Sequence, residues 1–426
     1  MEKKVMDAVI SNYLESHDFN GISMHDLRSF ASENELKNII EDLINREKIT
    51  LVKDLNPHIK RFPDLPINKQ LEILKENKGI ICVYPHKKVL TEFVDKDEYQ
   101  NEPFKRELLL GSAQLEPIFF ELSVLDNYFN DPRYLVLNSD YNGSISIKDE
   151  FYESIPEKDR INLQTFGLGY NENGDRVIVV FLRYLSDLSP EHQQIWNTYK
   201  LSEKCLMDPD YFKNDILGEW TETVSIFNAL CEEFFQINEM CKLMGKPPLF
   251  KENFREKRPD DFKIFLKPTL KNYNDFVLVL DKMISENINK DFFRGDIELT
   301  EDQTRRDGKI VVIQKGTIRL FEEWLRSKFK TDDEFFEKIF GPIKLVRKER
   351  QDPAHRIDEN VYNKKFHDDQ DELILKMYIA IRNIRLAFAN HPSVRGHKVP
   401  EWLYEGRIRR YVKDEFKTFD NVVNNN

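Results

Sequence analysis

The hydrophobic period of this chain changes twice, and those changes limit what it can fold into. From Met1 to about Lys75 apolar residues recur at helical threes and fours, as in Val5, Met6, Val9, Ile10, Tyr13 and Leu14. Between Gly79 and Leu201 short apolar runs separated by turn residues take over, and from Pro209 onward the helical period returns. A period near 3.6 lays one stripe of a helix against a core, whereas a period of two lays one face of a strand there. The pattern predicts an α+β multidomain protein in three parts, residues 1–75, 76–208 and 209–426. At 426 residues each part is long enough to bury a core of its own.

In the first part, Gly21-Ile22-Ser23 breaks the opening helix and Ser23 can cap a short one over 24–30. Ser32, with Glu35 three residues on, is a capping-box signature for a third helix, whose stripe is Leu36, Ile39, Ile40, Leu43 and Ile44. A strand over 49–52 and a polar turn over 54–57 follow. Helix, short helix, helix, strand and turn in this order resemble a winged helix-turn-helix domain. Its recognition helix would be 33–48, where five acids face three basic residues. That is the wrong sign for a phosphate-lined groove. His58, Lys60 and Arg61 make a small basic wing. DNA binding and a packing or protein-contact role both stay open, and the charge favours the second.

In the middle part, 80–84 ended by Pro85 is a strand signal. Runs 134–137 and 144–147 flank Asn142-Gly143, and runs 160–170 and 176–184 flank Asn173-Gly174, two hairpin signals with a helix expected over 114–128. This predicts a central α+β domain with a largely antiparallel sheet. It has no catalytic signature. Gly167-Leu168-Gly169 lacks the third glycine and following helix of a dinucleotide loop, and no G-x-x-x-x-G-K-[ST] loop exists in the chain. His86, Glu121 and His192 would have to be brought together by the fold.

The last part predicts a helical bundle, with helices over 218–245, from Pro268, over 316–329 and 332–350, and a longest one over 369–390. A short strand is expected over 309–314. Cys82, Cys205, Cys231 and Cys241 are scattered without a C-x-x-C pair, so neither a disulfide framework nor a zinc cage is expected, and the protein reads as reduced and cytoplasmic. The longest apolar run, 177–182, falls far short of the roughly 20 residues of a bilayer helix, so no membrane partner is expected. Nothing in the pattern asks for a metal or cofactor.

With 64 basic and 75 acidic side chains and a net charge of -11, the whole surface cannot coat nucleic acid. One segment inverts the balance. Lys344, Arg347, Lys348, Arg350 and Arg356 stand against only Glu349 and Asp352, and Pro353 should end the helix that carries them. An anionic ligand is the natural inference. Arg350-Gln351-Asp352-Pro353-Ala354-His355 resembles the motif of the HEPN superfamily, helical ribonucleases that share an arginine, four to six residues, then a histidine.

The resemblance implies a HEPN-like helical bundle within residues 218–392 and a metal-independent endoribonuclease. In such an enzyme the RNA 2′-hydroxyl attacks its own phosphate, leaving a 2′,3′-cyclic phosphate and a 5′-hydroxyl. His355 would carry the proton transfer, and Arg350 would hold the phosphate and stabilise its added charge. Gln351, Lys344, Arg347, Lys348 and Arg356 would bind RNA. The resemblance also implies a homodimer with paired motifs, a regulatory protein or antitoxin as partner, and service as a regulated toxin or antiviral defence effector. Two departures stand out: the family more often has asparagine at the position of Gln351, and Pro353 sits inside the motif. Arg385 and His391, with five residues between them, also fit the four-to-six spacing, but Leu386-Ala387-Phe388-Ala389 reads as packed helix interior. The alternative is a non-enzymatic winged-helix regulator or adaptor that dimerises through its helical C-terminal half.

Overall fold

The computed structural model describes residues 1–76, 78–95, 97–220, 224–351 and 359–409. They form a mixed α+β multidomain protein with two compact units, Met1–Trp220 and Thr221–Asn426. Periodicity predicts three parts; the first two fall within one compact unit, and one strand read as central belongs to the N-terminal sheet. The N-terminal elements are α1 (Glu2–Glu15), β1 (Ile22–Ser23), α2 (Met24–Leu27), α3 (Glu33–Asn45), β2 (Ile49–Lys53), α4 (Ile67–Glu76) and β3 (Ile81–Pro85). Strand β3, assigned by its period to the central part, lies between β1 and β2 and pairs antiparallel with both. All five of its residues are buried. Without it, β1 and β2 would have no partner over the core of Val5, Val9, Leu36, Ile40, Leu43 and Leu51. Ser23 caps α2 through Asp26 N at 3.2 Å, whereas Ser32 precedes α3 without a side-chain capping bond, so the predicted capping box is not formed.

Buried hydrogen bonds continue this module into the rest of the unit. The Tyr13 hydroxyl donates to the Leu108 carbonyl, Lys60 N donates to Gln114, and Lys60 Nζ donates to the Gly111 carbonyl at 2.8 Å. Two helices, α5 (Lys87–Phe93) and α6 (Pro103–Leu109), lead into a six-stranded antiparallel sheet. Its strands are β4 (Pro117–Glu121), β5 (Tyr134–Asn138), β6 (Asn142–Ile147), β7 (Asn162–Asn171), β8 (Arg176–Phe181) and β9 (Cys205–Met207). Their order is β4-β8-β7-β6-β5, with β9 also on β7, and α7 (Pro190–Thr198) lies between β8 and β9 in the chain.

Two local expectations fail here. The predicted helix over 114–128 is instead strand β4 followed by two short turns of helix. Pro117 is tolerated because β4 is an edge strand, and Ile118 and Phe120 alternate inward. Asn142-Gly143 opens β6 rather than making the turn. Gly143 is there for room: a Cβ would stand 2.3 Å from the Phe166 ring. The same logic holds Gly167 under Tyr211, whose ring stacks on Phe181 at 5.3 Å. The second turn does follow its chemistry, with Gly174 at φ +75° between β7 and β8. His86, Glu121 and His192 have separate settings. His86 accepts from Lys88 N, exposed Glu121 accepts from Ser123, and buried His192 bonds Tyr128, which in turn accepts from Trp196 at 3.0 Å.

The second unit contains β10 (Val224–Ser225), α8 (Ile226–Leu243), α9 (Leu270–Asp281), a hairpin of β11 (Thr300–Thr304) and β12 (Ile310–Gln314), α10 (Thr317–Lys328), α11 (Asp333–Gln351), α12 (Lys365–Ala389) and β13 (Ile408–Arg409), which pairs parallel with β10. Helix α8 begins at Ile226 rather than at 218, where Ser225 caps it through Asn228 N. Helices α8, α9 and α11 all pack on α12. Among the described residues no helix is long and apolar enough to cross a membrane. Phe292, Phe293, Trp324 and Phe388 form an aromatic cluster with Phe292 and Trp324 centroids 4.7 Å apart. Asp296 fastens its edge, accepting from Trp324 Nε1 at 2.6 Å, Lys246 Nζ at 2.5 Å and Lys328 Nζ at 3.0 Å. Burial raises the pKa of this carboxyl, but the three donors outweigh it and hold it well below the usual carboxylate range. A depressed carboxyl stabilises the fold above its unfolded pKa of about 4 and loses that contribution as pH falls. Asp296→Asn should therefore lower stability at neutral pH and flatten its loss between about pH 4 and 2, measured by thermal unfolding across an acid series.

Candidate functional site

Helix α11 is amphipathic by design of its sequence. Phe336, Ile339, Phe340, Ile343 and Val346 are buried at helical spacing, Asp333 and Glu334 complement the positive N-terminal end, and Lys348 and Arg350 the negative C-terminal end. Lys344, Arg347 and Arg350 recur every three residues, so they form one stripe along its side. The facing element is α9, which continues beyond Asp281 into one widened turn, Lys282–Glu286.

This geometry brings two of the predicted residues onto one carboxylate. Arg347 Nη1 donates to Asp281 Oδ2 at 2.8 Å, and Arg350 Nη1 donates to the same oxygen at 2.6 Å. Arg350 Nη1 also reaches Glu286 Oε1 at 2.6 Å. The Asp281 side chain is wholly buried, and its Oδ1 is buried without a partner among the described residues. Asp281 and Glu286 together push the Arg350 pKa further up. One residue before Arg350, Glu349 accepts from the Tyr273 hydroxyl at 2.6 Å. Burial, reinforced by that carboxylate, raises the Tyr273 phenol, whose ring stacks on Phe366. The end of α11 is thus held on two sides.

Lys344 takes a different partner, Glu322 at 2.7 Å on α10. Lys348 and Gln351 are exposed. His355 and Arg356, with Asp352 and Pro353, lie outside the described residues. Arg350 meets both acids through Nη1, and among the described residues its Nε and Nη2 donate no hydrogen bond. A guanidinium oriented by carboxylates on one side and open on the other suits a bidentate oxyanion such as phosphate. The residues missed by motif reasoning are Asp281, Glu286 and Tyr273. A signal existed for the first: Asp281 follows Leu280 within the apolar stripe of α9, and a carboxylate on a buried face demands a cation.

The second Arg/His match is occupied differently. Arg385 does not snorkel from its helix; its Nε and Nη2 grip Glu233 of α8 bidentately, with side-chain exposures of 5% and 0%. Arg350, at 29%, reaches solvent. His391 spends Nδ1 capping Ser393 N at 3.2 Å. The Arg385–Glu233 pair ties α8 to α12 and lies enclosed in the core, away from solvent. His367 likewise bonds the Leu266 carbonyl at 3.2 Å and packs on Phe265.

Compared with known proteins, the chain matches no family model, no curated protein and no solved structure. Glu233→Ala, which strands Arg385 in the core, should cost about 3–5 kcal/mol in urea denaturation of the full chain. Replacing both partners with methionine should cost clearly less, since no charge is then left buried.

Proposed function

We propose that the protein is a metal-independent, HEPN-like endoribonuclease whose site is built around Arg350 and His355. The observation that carries this reading is the fixed, half-open guanidinium of Arg350, held by Asp281 and Glu286 five residues before His355. In this reaction the 2′-hydroxyl attacks the adjoining phosphorus and gives up its proton to a base. The P–O5′ bond breaks, and the departing 5′-oxygen takes up a proton. Arg350 supplies charge where the phosphorane gathers it, and His355 moves one of the two protons near neutral pH. A second copy of the chain would supply the other through the same motif, which is why the site is proposed as dimeric. Asp281 is a positioning residue in this scheme. The N-terminal module is likewise proposed to be winged-helix-like, supported by helices α1 to α3 and the sheet β1-β3-β2.

A second reading draws on the same carboxylates. Asp281 and Glu286 neutralise Arg347 and Arg350, and a clasp between α9 and α11 needs no substrate. On that view the chain is a non-enzymatic regulator. The full chain, incubated with RNA in excess chelator, should leave 2′,3′-cyclic phosphate ends. Arg350→Ala and His355→Ala should each reduce cleavage by at least about 100-fold with an unchanged melting temperature for His355→Ala. Cleavage indifferent to both changes would remove the site. Duplex DNA binding through the N-terminal module, with no cleavage of RNA, would establish the regulator.

A further inference from the structure

Beside the Arg350 clasp, at the other end of the same stripe, the C-terminal unit has a cleft of about 430 Å³. Its floor is Ser285, one wall is the start of α10 at Gly316 and Thr317, and the other is Lys344 and Arg347 of α11. Helix α10 is 12 residues long, has no acid in its first turn, and is preceded by Gly316, which makes no side-chain cap. Its first amides therefore have no side-chain acceptor, and they carry the positive end of the helix dipole. Such an end is a ready anion site when something else points to a ligand.

Ser285 supplies that second observation. Ser285 is only 3% exposed, and its buried Oγ has no hydrogen-bond partner among the described residues, although the residue lines the cleft. A buried hydroxyl without a partner is rare enough to need an explanation. One wall is fastened to the floor, because Thr317 Oγ1 donates to the Ser285 carbonyl at 2.7 Å. The lining carries three cations, Arg319, Lys344 and Arg347, against the single carboxylate of Glu322. Each cation is oriented by an acid: Arg319 by Glu301 and Glu323, Lys344 by Glu322, and Arg347 by Asp281.

We propose that this cleft binds a phosphate group, taken by the Ser285 hydroxyl, the first amides of α10, Lys344 and Arg347. The phosphate is that of an RNA strand which also passes Arg350, and this identity, unlike the anion chemistry, rests on the ribonuclease reading. Lys344 and Arg350 are six residues apart on one helix, about 9 Å along its axis, so a single strand can reach both. The cleft would thus set which nucleotide is presented to Arg350.

The test uses the full chain with two probes: inorganic phosphate against chloride at matched ionic strength, and a 2′-O-methyl oligoribonucleotide, which lacks the attacking hydroxyl. Calorimetry should detect phosphate binding that weakens at least fivefold in Ser285→Ala and in Lys344→Gln, the second a change at a half-exposed side chain that the fold tolerates. The oligonucleotide should weaken by a similar factor in Lys344→Gln and be displaced by phosphate. If phosphate binding is lost in both variants while oligonucleotide affinity is unchanged, the site stands but serves a free phosphate, and the RNA clause falls. Absence of phosphate binding in the wild type, or its survival in both variants, overturns the proposal. Intact phosphate binding in a protein that cleaves no RNA fails the ribonuclease reading alone.

Discussion

A single buried carboxylate organises the C-terminal unit. Asp281 has no access to solvent, and an isolated carboxylate in that position would be too costly to keep ionised. It is tolerated because Arg347 and Arg350 both reach its Oδ2 from the next helix. That requirement sets the register of α11 against α9, since two arginines three residues apart must meet one acid. A slip of one residue would rotate the stripe by about 100° and strand three charges. Register and chemistry are therefore set by the same bonds. The widened turn Lys282–Glu286 adds Glu286 to the clasp and puts Ser285 on the cleft floor.

The Glu233–Arg385 pair shows how the same chemistry serves structure alone. Burial pushes the Glu233 carboxyl up and Arg385 pulls it back; both side chains are enclosed, and the guanidinium edge formed by Nε and Nη2 is taken by one partner. At Arg350 the acids take only Nη1. Two arginines with equivalent motif spacing are thus separated by what surrounds them. A buried ion pair is weak evidence for stability, because well-packed apolar residues often do as well. Its better-attested value is in specifying which faces meet, here α8 with α12.

Much of the architecture was legible in the residues, for identifiable reasons. Helices α9 to α12 carry apolar stripes long enough to be read alone, and the Asn173-Gly174 turn has a conformation that glycine readily supplies. What escaped was decided by neighbours distant in sequence. Strand β11, Thr-Glu-Asp-Gln-Thr, has no apolar signal and exists through its pairing with β12. Gly143 resembles a turn residue locally, but its role is to make room for Phe166. Strand β3 was visible as a strand, yet nothing in it says which sheet it completes. At the site, Arg347 and Arg350 were legible as a basic run, whereas Asp281 and Glu286, more than 60 positions away, could not be assigned to them from spacing.

The acids also change what the local charge inversion means. A run of five basic residues in a chain of net -11 suggests an open basic patch. In the folded chain Lys344, Arg347 and Arg350 each already hold a carboxylate. Long-range attraction for a polyanion is weak under those conditions, because the field of each cation is cancelled within a few ångströms. Short-range recognition is not weakened in the same way. A guanidinium or ammonium fixed by one acid has already lost its rotamer freedom, so a phosphate that docks on its open side meets preorganised donors. The arrangement therefore favours a ligand selected by geometry over one gathered by charge, and it predicts discrimination that depends little on salt.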